Sequence, residues 1–221
     1  MSRALVVAAH PDDEVLGIAG TVMRHVDKGD EIKCLIAASG VTAREKQKGT
    51  VKDLHEQTLE AAKIVGYQDV EFLNLPDNRM DSIPLLDIIR PIEKVISTFR
   101  PDFIYTHFEN DLNVDHRLCY QAVITAVRPT GESAPRVMTF ETLSSTEWQR
   151  SASGSFCPTT YVDIEKYIDR KVQALMVYES EVRPYPFPRS PEGVRMIAAY
   201  RGLESGLRSA EALQLVREVL I

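Results

Sequence analysis

The chain has 221 residues, 44% of them apolar and 26% charged, a balance that supplies a full hydrophobic core and excludes wholesale disorder. Its 26 Lys and Arg face 32 Asp and Glu, a formal charge of -6, which argues against binding driven by a nucleic-acid backbone or an anionic membrane surface. Cys34, Cys119 and Cys157 are scattered and never form a Cys-x-x-Cys pair, so neither a disulfide framework nor a thiolate zinc site is indicated.

In chain order, Ala4 to Ala9 is a continuous apolar run that reads as a strand buried on both faces. It is too short for a signal-peptide core, and no stretch approaches the roughly 18 apolar residues of a membrane span, so a cytoplasmic location is expected. Val15, Ile18, Ala19, Val22 and Val26 then fall at helical spacing, closed by Gly29. Ile32 to Ala38 is a second buried strand. A polar loop from Ser39 to Gly49 leads to a helix that reaches Val65, with Gly66 as its stop. Val70 to Leu75 is a shorter strand before the turn Pro76-Asp77-Asn78. The stripe Leu85, Ile88, Ile89, Ile92, Val95, Ile96 and Phe99 marks a long helix, followed by the strand Phe103 to Tyr105 and a helix from Leu118 to Val127.

This alternation predicts an α/β fold, a Rossmann-like, mainly parallel sheet flanked by helices. Beyond about residue 130 the pattern changes. Val137 to Thr142 and Thr160 to Ile164 read as strands, Ile164 to Met176 contains a helix, and a Pro-rich loop from Pro184 to Pro191 precedes a final helix over Ala210 to Leu220. One domain is expected over residues 1–221, a core with a C-terminal α+β extension. No Gly-x-Gly-x-x-Gly follows the first strand, so the topology does not imply a dinucleotide.

Ligands of such sheets bind beyond the carboxyl ends of the strands, where strand order reverses. That rule selects His10-Pro11-Asp12-Asp13-Glu14 after the first strand and Thr106 to His116 after the fourth, loops that hold three of the five histidines. Imidazole with carboxylate suits a divalent cation such as Zn²⁺, with Fe²⁺, Co²⁺ or Mn²⁺ tolerated, and His10, Asp13 and His116 make a three-ligand set. Asp12 and Asp13 diverge at a strand-to-helix turn, so one can bind the cation while the other faces the open position as general base. The plain alternative is that either aspartate only caps the helix.

Ala9-His10-Pro11-Asp12-Asp13-Glu14 together with Asp115-His116-Arg117 resembles the PIG-L/LmbE family of metal-dependent de-N-acetylases. Leu75-Pro76-Asp77-Asn78-Arg79, Arg100-Pro101-Asp102, Asn110-Asp111-Leu112-Asn113, Tyr178-Glu179-Ser180-Glu181 and Ala199-Tyr200-Arg201-Gly202 extend the likeness over most of the chain. The resemblance implies hydrolysis of the N-acetyl amide of an amino sugar by a metal-bound water. His10, Asp13 and His116 would be the ligands, Asp12 the general base, and Asp115 a group that orients a ligand. Where many members carry His-Pro-Asp-His, this chain has Asn113-Val114-Asp115-His116. Asn113 can donate to an oxyanion but cannot act as an acid, so either Asp12 returns the proton alone or His107 reaches the site; the first is favoured. Arg44 is the nearest candidate to stand in for an arginine that some members place just inside the helix after the second strand and to grip a substrate oxygen, with a solvated loop arginine as the alternative. With Asp111, His107 and Arg79 it completes the expected substrate surroundings. Arg79 has a second reading, a loop ion pair with Asp81, and His25 and His55 are expected at the surface. Loops 39–50, 76–84 and 183–192 are expected to set specificity. The remaining alternatives are a non-sugar amide and a non-catalytic binding relative. Oligomeric state is unreadable and leaves a homo-oligomer open.

Overall fold

The structure is a computed structural model that describes residues 1–40, 51–129, 134–149 and 154–220, the side chains of 51 and 52 apart. Arg44 and most of loop 39–50 lie outside them. The elements are β1 (Arg3–Ala8), α1 (Asp13–Asp27), β2 (Glu31–Ala38), α2 (Val51–Val65), β3 (Asp69–Leu75), α3 (Leu85–Phe99) and β4 (Phe103–His107). Then follow α4 (Val114–Ala126), β5 (Arg136–Phe140), β6 (Thr160–Asp163), α5 (Ile168–Met176), α6 (Pro191–Ser205) and β7 (Ala210–Arg217).

One seven-stranded sheet runs in the order β3-β2-β1-β4-β5-β7-β6. The first five strands in that row are parallel, and β7 is antiparallel to both β5 and β6. Side chains of β1 alternate between two cores, as a doubly covered strand requires. Ala4, Val6 and Ala8 pack with Val15, Ile18 and Val22 of α1, while Leu5, Val7 and Ala9 pack with Ile88 and Ile92 of α3 and Cys119 and Val123 of α4. Strand order reverses between β1 and β4, which opens the crevice beyond their carboxyl ends.

The expected final helix is instead β7. Its Ala, Glu, Leu and Gln favour a helix in isolation, but Ala210, Ala212 and Leu213 are buried between β5 and β6. Glu211 is tied down as well. Its carboxylate accepts from the Gly20 and Thr21 backbone N–H groups (2.8 and 2.6 Å) and from Lys171 Nζ (2.6 Å). Gly20 permits this close approach, since a Cβ there would lie 2.4 Å from Ile164. A helix that the periodicity did not mark, α6, fills residues 191–205. Ser190 caps it by accepting from Gly193 N at 2.9 Å, with Pro191 in its first turn. Helix α4 starts at Val114, ahead of the expected Leu118, because Asn113 caps it.

His25 is not at the surface. It is 8% exposed, with Nδ1 2.8 Å from Asp30 Oδ2 and Nε2 2.8 Å from Tyr105 Oη, partners that sequence spacing does not bring together. His55 is half-buried and stacks on Phe72 at 3.9 Å between ring centroids.

Candidate metal centre

Between β1 and α1 the chain turns sharply through Asp12, whose φ of 99° and ψ of -28° lie in the left-handed region. Glu14 braces this turn, its Oε2 accepting from Asp12 N at 2.9 Å and its Oε1 from Tyr178 Oη at 2.5 Å. The Asp12 side chain makes no capping bond to α1, so the plain capping role does not describe it. Asp13 reaches backward, its Oδ2 accepting from His10 N at 2.9 Å. On the other side of the crevice, Asn113 Oδ1 accepts from Asp115 N at 2.8 Å, which sets Asp115 and His116 in the first turn of α4.

The two loops bring His10, Asp13 and His116 together, with one donor atom from each inside a 4.8 Å span. His116 Nε2 lies 3.2 Å from Asp13 Oδ2 and 3.3 Å from His10 Nδ1. Asp13 Oδ1 is buried without a hydrogen-bond partner, a costly arrangement unless a cation completes it. Each imidazole is braced from behind by a carboxylate. His10 Nε2 is 3.0 Å from Asp115 Oδ2, and Asp115 Oδ1 accepts from Met80 N at 3.1 Å. His116 Nδ1 is 3.0 Å from Asp111 Oδ1, and Asp111 also accepts from the hydroxyls of Ser145 and Thr146. Carboxylates that fix the ring while the opposite nitrogen faces inward are the usual support of a metal-bound histidine. The residues present fit a divalent cation.

The electrostatics agree. Burial opposes charge on His10, yet hydrogen bonds to Asp115 and Asp13 outweigh it and raise its pKa to about 10. Burial likewise opposes charge on His116, and Asp13 and Asp111 raise it to about 8. Asp13 is held well below the carboxylate range, because His116 and His10 override the burial that would push it up. The pocket therefore demands positive charge, and a bound cation would supply it. Asp12 behaves differently. Burial pushes its carboxyl well above the usual range despite the pull of Arg189, and burial also pushes Glu14 up to about 7.

Three residues expected around the substrate do not line the cavity. His107 has no exposure; its Nε2 accepts from Ala9 N at 2.8 Å, its Nδ1 is 3.2 Å from Thr142 Oγ1, and its ring stacks on His116 at 3.9 Å. Burial and the neighbouring His116 depress its pKa to about 3, so it is a neutral support beneath the site and not an acid that reaches it. Asp111 is equally buried and faces His116, not the cleft. Arg79 is exposed and does not line the cavity, where its neighbours Asp77 and Asn78 do.

A cavity of about 200 Å³ opens onto His10 and Asp12, with Asn78, Asn113, Glu181 and Arg189 on its walls. Asn113 Nδ2 donates to Asn78 Oδ1 at 3.0 Å. Arg189 was not foreseen. Its Nη1 sits 2.5 Å from Asp12 Oδ2 and 3.4 Å from Glu181 Oε2, while its Nε donates to Ser144 Oγ at 2.6 Å. The one sequence signal was its place in loop 183–192, since nothing local ties it to a residue 177 positions away.

Residues 5–127 match the PIG-L family, described as GlcNAc-PI de-N-acetylase. The uncharacterized deacetylase YaiS of Escherichia coli is 30% identical over 80% of this chain and 90% of its own length. A probable N-acetyl-alpha-D-glucosaminyl L-malate deacetylase 2 of Bacillus subtilis is 28% identical over 81% of this chain and 83% of its own. The fold is shared with the 4-carboxy-2-hydroxymuconate hydratase of Pseudomonas putida, at a TM-score of 0.78 and 23% identity, covering 100% of this chain and 98% of that one. Since the family match spans more than half of the sequence and carries both strand-end loops, the chain belongs to the PIG-L family.

Proposed function

We propose that this protein is a metal-dependent deacetylase that removes the acetyl group from an N-acetylated amino sugar, releasing acetate and a free amine. The observation that carries the reading is the convergence of His10, Asp13 and His116 beside an Asp12 carboxylate that no capping bond occupies. A divalent cation held by those three residues would act as a Lewis acid, polarising the acyl oxygen and making a water more acidic. Zn²⁺ fits the donor set, and Fe²⁺, Co²⁺ or Mn²⁺ are tolerated by it.

The chain's own part centres on Asp12. Its carboxylate, on the cavity wall beside the three ligands, takes the proton of the attacking water and hands it to the departing amine nitrogen. Arg189 holds one Asp12 oxygen and Glu14 holds the Asp12 backbone N–H, so the carboxylate is fixed toward the cavity. Asn113, with one amide hydrogen on Asn78 and a second available, steadies the developing oxyanion. Asp115 and Asp111 hold the histidine rings in register. Since His107 is neutral and sealed beneath the site, Asp12 serves as both base and acid.

Support for an amino sugar comes from the polar walls of the cavity and from the B. subtilis relative. Amine release from N-acetylglucosamine derivatives, with and without chelator and zinc add-back, tests the reading. Activity indifferent to chelation overturns the metal role, and hydration of an unsaturated acid with no amine release overturns the reaction.

A further inference from the structure

The cavity over Asp12, at about 200 Å³, lies below the ~300 Å³ at which pockets begin to enclose drug-sized ligands. A substrate larger than one ring must therefore continue over the rim. An aromatic pair lies on the two segments that Arg189, a residue of the cavity wall, joins through Ser144. Trp148, the chain's single tryptophan, is 48% exposed and meets Phe187 edge to face at 6.0 Å. Arg183 lies 4.8 Å over the Phe187 ring.

This cluster is tied to the site at both ends. Phe187 precedes the cavity-lining Arg189 by two residues. Trp148 ends the turn whose Ser145 and Thr146 hold Asp111 behind His116, and Ser144 of the same segment accepts from Arg189. The indole is thus carried on backbone that the metal centre itself positions. An exposed large aromatic on a rigid support offers contact area at low entropic cost.

We propose that Trp148 and Phe187 form a ledge for a second pyranose ring, linked to the N-acetylated sugar whose amide is cleaved. A pyranose presents a flat face of C–H groups to an indole and hydroxyls at its edge to a guanidinium such as Arg183, which matches this mixed surface. The proposal rests on the deacetylase reading and narrows its substrate to a disaccharide or longer glycan.

A single tryptophan makes the test direct. N,N′-diacetylchitobiose and N-acetylglucosamine are titrated against the metal-replete enzyme while emission and amine release are followed. The disaccharide should give a saturable change in Trp148 emission, and the monosaccharide none. Trp148→Ala should lower kcat/KM for the disaccharide about tenfold, through KM, and leave the monosaccharide within twofold, with Trp148→Phe restoring most of the loss. Turnover of the disaccharide without an emission change overturns the ledge. So does an equal loss on both sugars, which marks a merely structural turn, or emission that follows protein concentration alone, which marks a second copy of the chain on this face. An emission response to the disaccharide without amine release overturns the reaction and keeps the ledge. Absence of both overturns both.

Discussion

The two ends of the parallel sheet each bury a histidine network, and they are built in opposite ways. At the amino ends of the strands, His25 spans Asp30 and Tyr105, and Asp30 also accepts from Ser2 N at 2.7 Å. Both ring nitrogens have partners, and one carboxylate answers one imidazole. At the carboxyl ends, Asp13, Asp111 and Asp115 crowd His10 and His116, and an Asp13 oxygen is left without a hydrogen bond. A network that closes on itself stabilises, whereas one with surplus acceptors is arranged for something the chain does not contain. Burial alone does not separate structure from function here; the balance of donors and acceptors does.

That contrast can be broken most sharply at Asp12. Asp12→Asn should cut amine release by about 10²- to 10⁴-fold while leaving metal content, measured by elemental analysis, unchanged. Retained turnover would remove Asp12 from the chemistry.

A smaller effect is expected one step back. Asp111→Asn should weaken metal affinity about 10- to 100-fold, read by competition with a chromophoric chelator, because His116 loses the partner that sets its ring. Undiminished affinity would reduce Asp111 to a loop anchor.

The same carboxylate should leave a mark on acid stability. Burial would raise its pKa, but bonds from His116, Ser145 and Thr146 hold it at about 2 against an ordinary 3.8. With the folded value depressed, the stabilisation is fully present above the ordinary pKa and is lost as pH falls through about 2, a difference of about 2 kcal/mol. Urea unfolding of chelator-treated protein between pH 5 and pH 2 should show this slope, and Asp111→Asn should flatten it.

Smallest in its effect on turnover, and opposite in kind, is the closed network. His25→Phe leaves Asp30 and Tyr105 short of a partner and should cost about 1–3 kcal/mol in urea unfolding, with turnover per folded molecule within twofold. A loss of activity beyond the unfolded fraction would erase the distinction between the two ends.

Much of this was legible in the sequence because it is written locally. The alternation of buried strands with amphipathic helices gave the parallel core, and the two strand-end loops gave His10, Asp13 and His116, which the structure brings together, with Asp12 on the cavity wall beside His10. The misreadings share a cause, which is that the deciding partner lies far along the chain. β7 looks helical until β5 and β6 claim it. His25 looks exposed until Tyr105 reaches it. His107 looks free to face the substrate until Ala9 and Thr142 occupy its ring. Arg189 sits in a Pro-rich loop, and its partner Asp12 lies 177 positions away.

The backbone of Asp12 carries a last consequence. A residue with a side chain at φ 99° costs on the order of 1–3 kcal/mol that glycine would avoid. Glycine there would relax the turn and delete the carboxylate in the same stroke. Relief of the turn and retention of turnover therefore pull this one codon in opposite directions, and Arg189, whose guanidinium pairs with the Asp12 carboxylate, adds its weight to aspartate.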